Sequence, residues 1–295
     1  MTHSHDSTPH HHHHHHAPTV DFDWAGMAEV LVGEAEAFQP VLDGAFADLA
    51  ELKPERVLDI GSGPGVAACL LAQRFPQAEV VAVDGTAELL EHAARRADRL
   101  GVRLTTVHAQ FPDDLAALPE ADLIWTSHVM HHVGDQVGAL TALAGRLRPG
   151  GVLAVAEGGL PRRMLPRDIG FGRPGLQVRL DALVSARFDV MREELPGSVA
   201  VVEDWPEMLR AAGLIDARSR SYLVDRPAPL TGGPRHWVRQ DLQRSRDSLA
   251  DLLDADDLAT LDRLLDPADP AGIDRRPDVF LLTAKTVHVA RRPEH

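Results

Sequence analysis

Residues 57–65 decide the fold, and they read Val-Leu-Asp-Ile-Gly-Ser-Gly-Pro-Gly. A short apolar run leads into glycines at positions 61, 63 and 65. Because glycine has no Cβ, the backbone can turn sharply there and approach a bound ligand closely. Apolar residues then recur at helical spacing over 66–75, and Pro76 ends the pattern. The stretch therefore predicts a strand, a ligand-binding turn and a helix, the opening unit of a nucleotide-type α/β fold.

Two acids near this turn narrow the choice of ligand. Asp59 stands two residues before the first glycine, where a carboxylate would repel a pyrophosphate but suits a ligand with an amino group and no phosphate. Residues 79–84 read Glu-Val-Val-Ala-Val-Asp and predict a second strand. Its terminal carboxylate, Asp84, comes where this architecture places the acid that accepts hydrogen bonds from ribose hydroxyls. The two features together predict a nucleoside-type ligand.

The pattern Asp59-x-Gly61-x-Gly63-x-Gly65 resembles the first motif of class I S-adenosylmethionine-dependent methyltransferases. The run Leu-Arg-Pro-Gly-Gly at 147–151 is similar to the turn before strand five in the same family. The resemblance covers about residues 55–160 and implies S-adenosyl-L-methionine as cofactor. The cofactor-binding residues that follow from the motifs and the resemblance are Asp59, Gly61, Ser62, Gly63, Gly65, Asp84, Gly85, Gln110, Phe111 and Ser127.

Strands and helices alternate along the core, which predicts parallel strands joined by right-handed crossovers. The predicted fold class is α/β, a doubly wound Rossmann-like sheet of seven mostly parallel strands with N-terminal helices and a helical lid insertion. We expect a His-rich leader over 1–18 and one methyltransferase domain over 19–295. Within that domain the predicted parts are a core (55–160 and 204–224), a lid (158–200), a helical insertion (234–266) and a closing strand (278–290) paired antiparallel at the sheet edge.

Composition excludes several classes of function. The net charge of −14 argues against general binding of a nucleic-acid backbone, which needs clustered Lys and Arg. No apolar run approaches the roughly 18 residues of a membrane span, and no apolar signal core follows the N-terminus. A single cysteine, Cys69, allows no internal disulfide. We therefore expect a soluble, cytoplasmic protein that binds neither nucleic acid nor membrane, and its leader is either a tag or a native metal-binding tail.

The candidate catalytic residues are His131, His132 and Glu157. Methyl transfer to oxygen or nitrogen needs a base, and histidine is well matched to that role near neutral pH. The pair His131-His132 follows the predicted fourth strand in a run that resembles sugar and natural-product O-methyltransferases, in which such a histidine acts as base and an acid after strand five assists. Glu157 stands at that later position, where those relatives carry aspartate. Alternatively, one histidine caps the next helix and the other packs against the sheet.

The acceptor is predicted to be a small molecule methylated at oxygen, with nitrogen or carbon as alternatives. Four arginines in the predicted lid leave an anionic acceptor open beside a plain salt-bridged surface; they are Arg162, Arg163, Arg167 and Arg173. An inactive cofactor-binding protein, an NAD-dependent oxidoreductase and a homodimer are further alternatives. No metal site is predicted.

Overall fold

A computed structural model describes residues 26–294; the predicted leader lies outside them. One mixed sheet has the strand order β3-β2-β1-β4-β5-β7-β6, and β7 alone runs antiparallel to its neighbours β5 and β6. The strands are β1 (Arg56–Ile60), β2 (Glu79–Asp84), β3 (Thr105–His108), β4 (Ala121–Ser127), β5 (Leu147–Arg163), β6 (Ile215–Arg226) and β7 (Leu281–Arg291). This order confirms the predicted seven-stranded, mostly parallel, doubly wound sheet.

Helices cover both faces of the sheet. They are α1 (Ala28–Ala37), α2 (Gln39–Asp48), α3 (Val66–Arg74), α4 (Ala87–Leu100), α5 (Gln136–Arg146), α6 (Leu176–Glu194), α7 (Trp205–Ala211), α8 (Gly232–Ser248) and α9 (Ala255–Leu265). Alternate residues of one strand enter opposite layers, as Val57 and Leu58 do on β1. One layer packs against α1 to α4, α8 and α9, and the other against α5 and α7. None of the helices in this described part of the chain has the length and apolar character needed to traverse a bilayer.

The structure corrects two predicted boundaries. The lid was expected to begin at 158, but β5 continues to Arg163 because Gly159, Leu160 and Arg163 pair with β7 and so satisfy their backbone groups. The closing strand was expected at the sheet edge, yet β7 lies between β5 and β6, and β6 is outermost. The remainder of the predicted lid contains α6, a 19-residue helix.

The turn after β1 depends on glycine at position 65. Gly65 has a φ of 75°, and a Cβ there would lie 2.5 Å from Ala93 Cβ and 2.8 Å from Ala93 Cα on α4. Gly101 has a similar φ of 66°, but a Cβ on it would meet nothing within 4 Å. The two positions therefore share backbone strain and differ only in the closeness of a neighbouring helix.

We expect Gly65→Ala to lower the free energy of unfolding by about 2 to 4 kcal/mol, because left-handed strain and overpacking add. The matched control, Gly101→Ala, should cost only about 1 to 2 kcal/mol from strain. Urea denaturation of the two variants and the parent measures the difference. If both variants lost the same free energy of unfolding, α4 would be shown to move aside at no cost, and close packing would not require a glycine at position 65.

Candidate active site

A large cleft opens at the carboxyl ends of β1, β2 and β4. It is lined by the glycine turn, by the loop after β3 and by residues of α1, α2 and α6. Of the ten predicted cofactor-binding residues, all except Gly65 line it. Gly65 instead allows the close approach of α3 and α4 described above. The sheet thus brings together residues that the sequence separates by almost 70 positions.

The glycine turn is open to the cleft at one point. Gly61 and Gly63 both have positive φ, 68° and 52°. A Cβ on Gly61 would lie 2.2 Å from the Val129 side chain, whereas a Cβ on Gly63 would have only Leu31 Cδ1, at 3.9 Å, within 4 Å. Gly63 is therefore the point at which the bare backbone faces a ligand.

Asp84 joins β2 to this turn. Its carboxylate accepts a hydrogen bond of 2.8 Å from Gly63 N and one of 2.9 Å from Thr86 N. A carboxylate has about four acceptor positions, so both oxygens retain capacity for a ligand. Because Asp84 also lines the cleft, it can shape the turn and accept from ribose hydroxyls at the same time.

Asp59 is an ionisable group that lacks a counter-charge. Its side chain is only 2% exposed, yet it borders the cleft, and its Oδ2 has no hydrogen-bond partner within 26–294. Burial, assisted by the negative charge of Asp84, raises the pKa of Asp59 to about 8. A buried oxygen of this kind can be satisfied by a ligand ammonium group.

The predicted catalytic residues form one hydrogen-bonded group. Met130–His132 is a 3₁₀ turn, and Glu157 on β5 accepts 2.8 Å from Met130 N and contacts His131 Nδ1 at 3.0 Å. Burial alone would raise the pKa of Glu157, but the hydrogen bond and charge of His131 lower it below its ordinary value. The ionised carboxylate accepts Nδ1–H, which leaves the lone pair on His131 Nε2.

Three histidines line the cleft, His108 beside the cofactor loops and His128 and His132 at the histidine turn. The His131 ring lies beside that of His132, with centroids 4.2 Å apart, but is not itself part of the cleft wall. His128 and His132 are both exposed to the open cleft, but desolvation by the surrounding walls lowers the pKa of His132 to about 4, assisted by the charge of His131, and that of His128 to about 4, assisted by Lys285. Both rings are therefore neutral at pH 7.

The sequence reasoning missed His128. It is a non-glycine residue with a positive φ, 57°, a strained conformation that is common at functional sites. The only sequence signal was its position between the fourth strand and the histidine pair.

His128, His131 and Glu157 offer nitrogen and oxygen atoms within 4.8 Å of one another, a spacing suited to a divalent ion, although no metal site was predicted.

The lid arginines do not line the cleft. Arg162 pairs with Asp241 at 2.8 Å, Arg163 with Asp181 at 2.6 Å and Arg173 with Asp257 at 2.9 Å. The salt-bridged alternative therefore holds for these three, and Arg167 is also absent from the cleft wall. The cations that do line it are Arg187 on α6 and Lys285 on β7, which the sequence reasoning missed because both come from elements outside the recognised core.

A family model described as a methyltransferase domain matches residues 57–151. A trans-aconitate 2-methyltransferase of Pseudomonas aeruginosa is 36% identical over 220 residues, which cover 63% of this chain and 77% of that protein. The chain belongs to the class I S-adenosylmethionine-dependent methyltransferases. It is an enzyme of that class, acts on a small molecule and takes S-adenosyl-L-methionine as cofactor.

Other matches extend this result. A trans-aconitate 2-methyltransferase of Methylobacterium nodulans is 29% identical over 276 residues, 90% of this chain and 99% of that one. Several further matches to enzymes of this name span between 35% and 66% of their length. A solved structure from Nostoc punctiforme, described as a candidate O-methyltransferase, has a TM-score of 0.50 and 18% identity, covering 91% of this chain and 60% of its own, which supports the fold.

The cleft of this methyltransferase fits its cofactor. The unpartnered Oδ2 of Asp59 suits an ammonium group, Asp84 retains acceptor capacity, and Gly63 leaves space where any side chain would intrude. S-adenosyl-L-methionine carries an amino group and ribose hydroxyls and no phosphate, in agreement with this donor and acceptor set.

Asp59→Asn should separate stability from cofactor binding. The folded carboxyl keeps its proton up to about pH 8, whereas the unfolded one loses it above about 3.8, so its contribution to stability is lost as pH rises through this window. We expect the variant to gain stability relative to the parent by at most about 1.4 kcal/mol per pH unit between pH 5 and 8, and to bind S-adenosylhomocysteine less tightly. The free energies of unfolding of variant and parent are measured in urea at several pH values. If the two changed equally with pH, the raised pKa of Asp59 would be contradicted.

Asp84→Ala should weaken S-adenosylhomocysteine binding tenfold or more, because charge-assisted hydrogen bonds of about 1.5 to 3 kcal/mol are lost. Glu79→Ala is the matched control, since Glu79 begins the same strand, is exposed and pairs with Arg56 far from the cleft. Calorimetry on both variants makes the comparison. Unchanged affinity in Asp84→Ala would remove this residue from the binding site.

Proposed function

We propose that this methyltransferase methylates an oxygen atom of a small acceptor, with His131 as general base and Glu157 as the residue that orients it. The observation that carries the proposal is the hydrogen bond between His131 Nδ1 and the buried Glu157 carboxylate. This hydrogen bond leaves His131 Nε2 as the proton acceptor, and the carboxylate stabilises the imidazolium that forms. Histidine and carboxylate pairs act in this way in other enzymes.

The steps assigned to this chain are orientation and proton transfer. When bound, S-adenosyl-L-methionine supplies an electrophilic methyl group with its own leaving group. The glycine turn and Asp84 hold the cofactor end of the cleft, and the histidine turn borders the end where the acceptor oxygen must lie. His131 lies beside the wall residue His132, and its side chain is 20% exposed. Its Nε2 takes the hydroxyl proton as the oxygen attacks, while His132, neutral at pH 7, lines the adjoining cleft.

Hydrogen bonds from the lid helix α6 also hold the turn that carries His131. Arg192 on α6 donates to the carbonyl oxygens of His131 and Val133 at 3.0 and 2.6 Å. The lid helix is thereby attached to the turn that carries the histidines. Proximity of a held base to a held acceptor supplies much of the rate in such a reaction.

We expect His131→Ala to reduce turnover by roughly 10² to 10⁴ with little change in S-adenosylhomocysteine affinity, because a general base acts on the barrier. His132→Ala should cost less, and Glu157→Gln should fall between them. Labelled-cofactor assays and calorimetry on the three variants test this. A larger loss in His132→Ala would transfer the role of base to His132.

A second candidate function is methylation of a carboxylate oxygen. The relatives described above are named for trans-aconitate, a tricarboxylate, and the cleft wall contains two cations, Arg187 and Lys285. A carboxylate is already deprotonated and needs no base, so both histidine variants would stay nearly as active as the parent. Trans-aconitate as acceptor in the same assays separates the two candidates.

A further inference from the structure

We infer that Lys285 binds a carboxylate group of the acceptor and so selects acceptors that carry one, whichever oxygen is methylated. The inference deepens the proposed function and rests on its small-molecule acceptor. It depends on three observations: the position of Lys285 on β7 in the cleft wall, the charges of the neighbouring residues, and the lack of an acidic partner for its ammonium group within residues 26–294.

Lys285 stands on β7, opposite Gly159 of β5 and Tyr222 of β6. The β5 to β7 register shifts between Ala156 and Gly159, so an irregularity in the ladder lies directly beside it. Such irregularities change the direction of nearby side chains and occur often next to active sites. Lys285 and its neighbours Ala156 and His128 all line the cleft.

The ammonium group has no counter-ion. Lys285 is half-buried and forms no ion pair with an acid anywhere in residues 26–294; its recorded contact is with the Phe38 ring, 5.4 Å from Nζ to the centroid. Burial lowers the pKa of Lys285, and the charge of Glu34 only partly opposes this. A poorly solvated cation facing open space is stabilised when an anion binds beside it.

Of the two arginines nearest this part of the cleft, only Arg162 is paired with an acid in the described part of the chain. The Arg162 guanidinium lies 5.6 Å from the centroid of the Trp237 ring and is held by Asp241. Arg187 on α6 also lines the cleft, and it donates to the Ser248 carbonyl, a neutral group. Within residues 26–294, Lys285 is therefore a strand cation in the cleft wall without an acidic partner.

Charge along the cleft is segregated. Asp59, Asp84 and Glu88 border the glycine turn, which suits a positively charged cofactor. Lys285 lies at the end of the histidine turn, near the neutral His128 ring and with Glu34 as the nearby acid. The complete set of ionisable groups in the wall is Glu34, Asp59, Asp84, Glu88, His108, His128, His132, Arg187, Glu194 and Lys285. An anionic acceptor complements the cationic end and would be repelled from the acidic one.

The sequence provides a direct test, because the chain contains two lysines, Lys53 and Lys285. The full-length protein, saturated with S-adenosylhomocysteine, is treated briefly with an amine-acylating reagent, and labelling of each lysine is followed by peptide mass spectrometry. The probes are trans-aconitate, fumarate and benzoate, with trimethyl trans-aconitate as the uncharged control. Lys53 reports any general effect of the probe on the reagent.

We expect at least one of the three carboxylates to slow labelling of Lys285 tenfold or more, with Lys53 unchanged and no protection by the ester. Equal labelling of Lys285 with and without all three carboxylates would overturn the inference. So would equal protection by the ester, because that would show steric shielding without charge recognition.

Variants provide the second measurement. Lys285→Met keeps the length and apolar stem without the charge, and should weaken binding of the protecting carboxylate at least tenfold while leaving S-adenosylhomocysteine affinity unchanged. Lys285→Arg should restore most of the affinity, and Lys53→Met should behave as the parent. Unaltered carboxylate affinity in Lys285→Met would overturn the assignment even if labelling were slowed.

The outcomes distinguish this inference from the proposed function. Charge-dependent protection at Lys285 without any methyl transfer to the same carboxylate would retain the binding role and refute carboxylate methylation. Methyl transfer that keeps its KM and its preference for anionic acceptors in Lys285→Met would refute the inference alone.

Discussion

One buried carboxylate, that of Glu157, connects the elements on which the acceptor end of the cleft depends. Its two oxygens bond Met130 N and the His131 ring, its backbone carbonyl contacts His288 on β7, and the turn it holds receives Arg192 from α6. The side chain is 6% exposed, so removing its partners would leave an unsatisfied buried charge. Positions of the histidines, the lid helix and β7 are therefore coupled through one residue.

The cleft is assembled from segments that no local pattern relates. β1, β2 and β4 contribute the cofactor end, and α1, α6 and β7 complete the opposite end. Because the carboxyl ends of parallel strands meet at one edge, the first group is a consequence of topology. The second group depends on how α6 and β7 pack against the rest of the fold. This packing brings Arg187 and Lys285 into a cleft whose glycine turn is bordered by acids.

Within residues 26–294, the buried Oδ2 of Asp59 has no hydrogen-bond partner at one end of the cleft, and the Lys285 ammonium has no acidic partner at the other. Each is costly to bury in the protein alone, because a low-dielectric environment disfavours its charged form. Residues of this kind are most easily understood as ligand contacts, since a ligand of opposite charge offsets the cost. Stability of the unliganded protein and affinity for ligands are thus expected to oppose each other at both positions.

The sequence by itself determined the fold class and the glycine turn, because strand and helix periodicity and positive-φ glycines are local properties. Asp59, Asp84 and the histidine pair were recognisable for the same reason, as each stands at a strand end. Tertiary structure alone decided that Arg162, Arg163 and Arg173 are consumed by ion pairs, that β7 lies inside the sheet, and that His128 and Lys285 face the cleft. Charge pairing and strand order depend on contacts between residues that are far apart in the sequence. The separation is 79 positions for Arg162 and Asp241, and 123 for Leu160 and Thr283 in the β5–β7 pair, so no local pattern encodes these contacts.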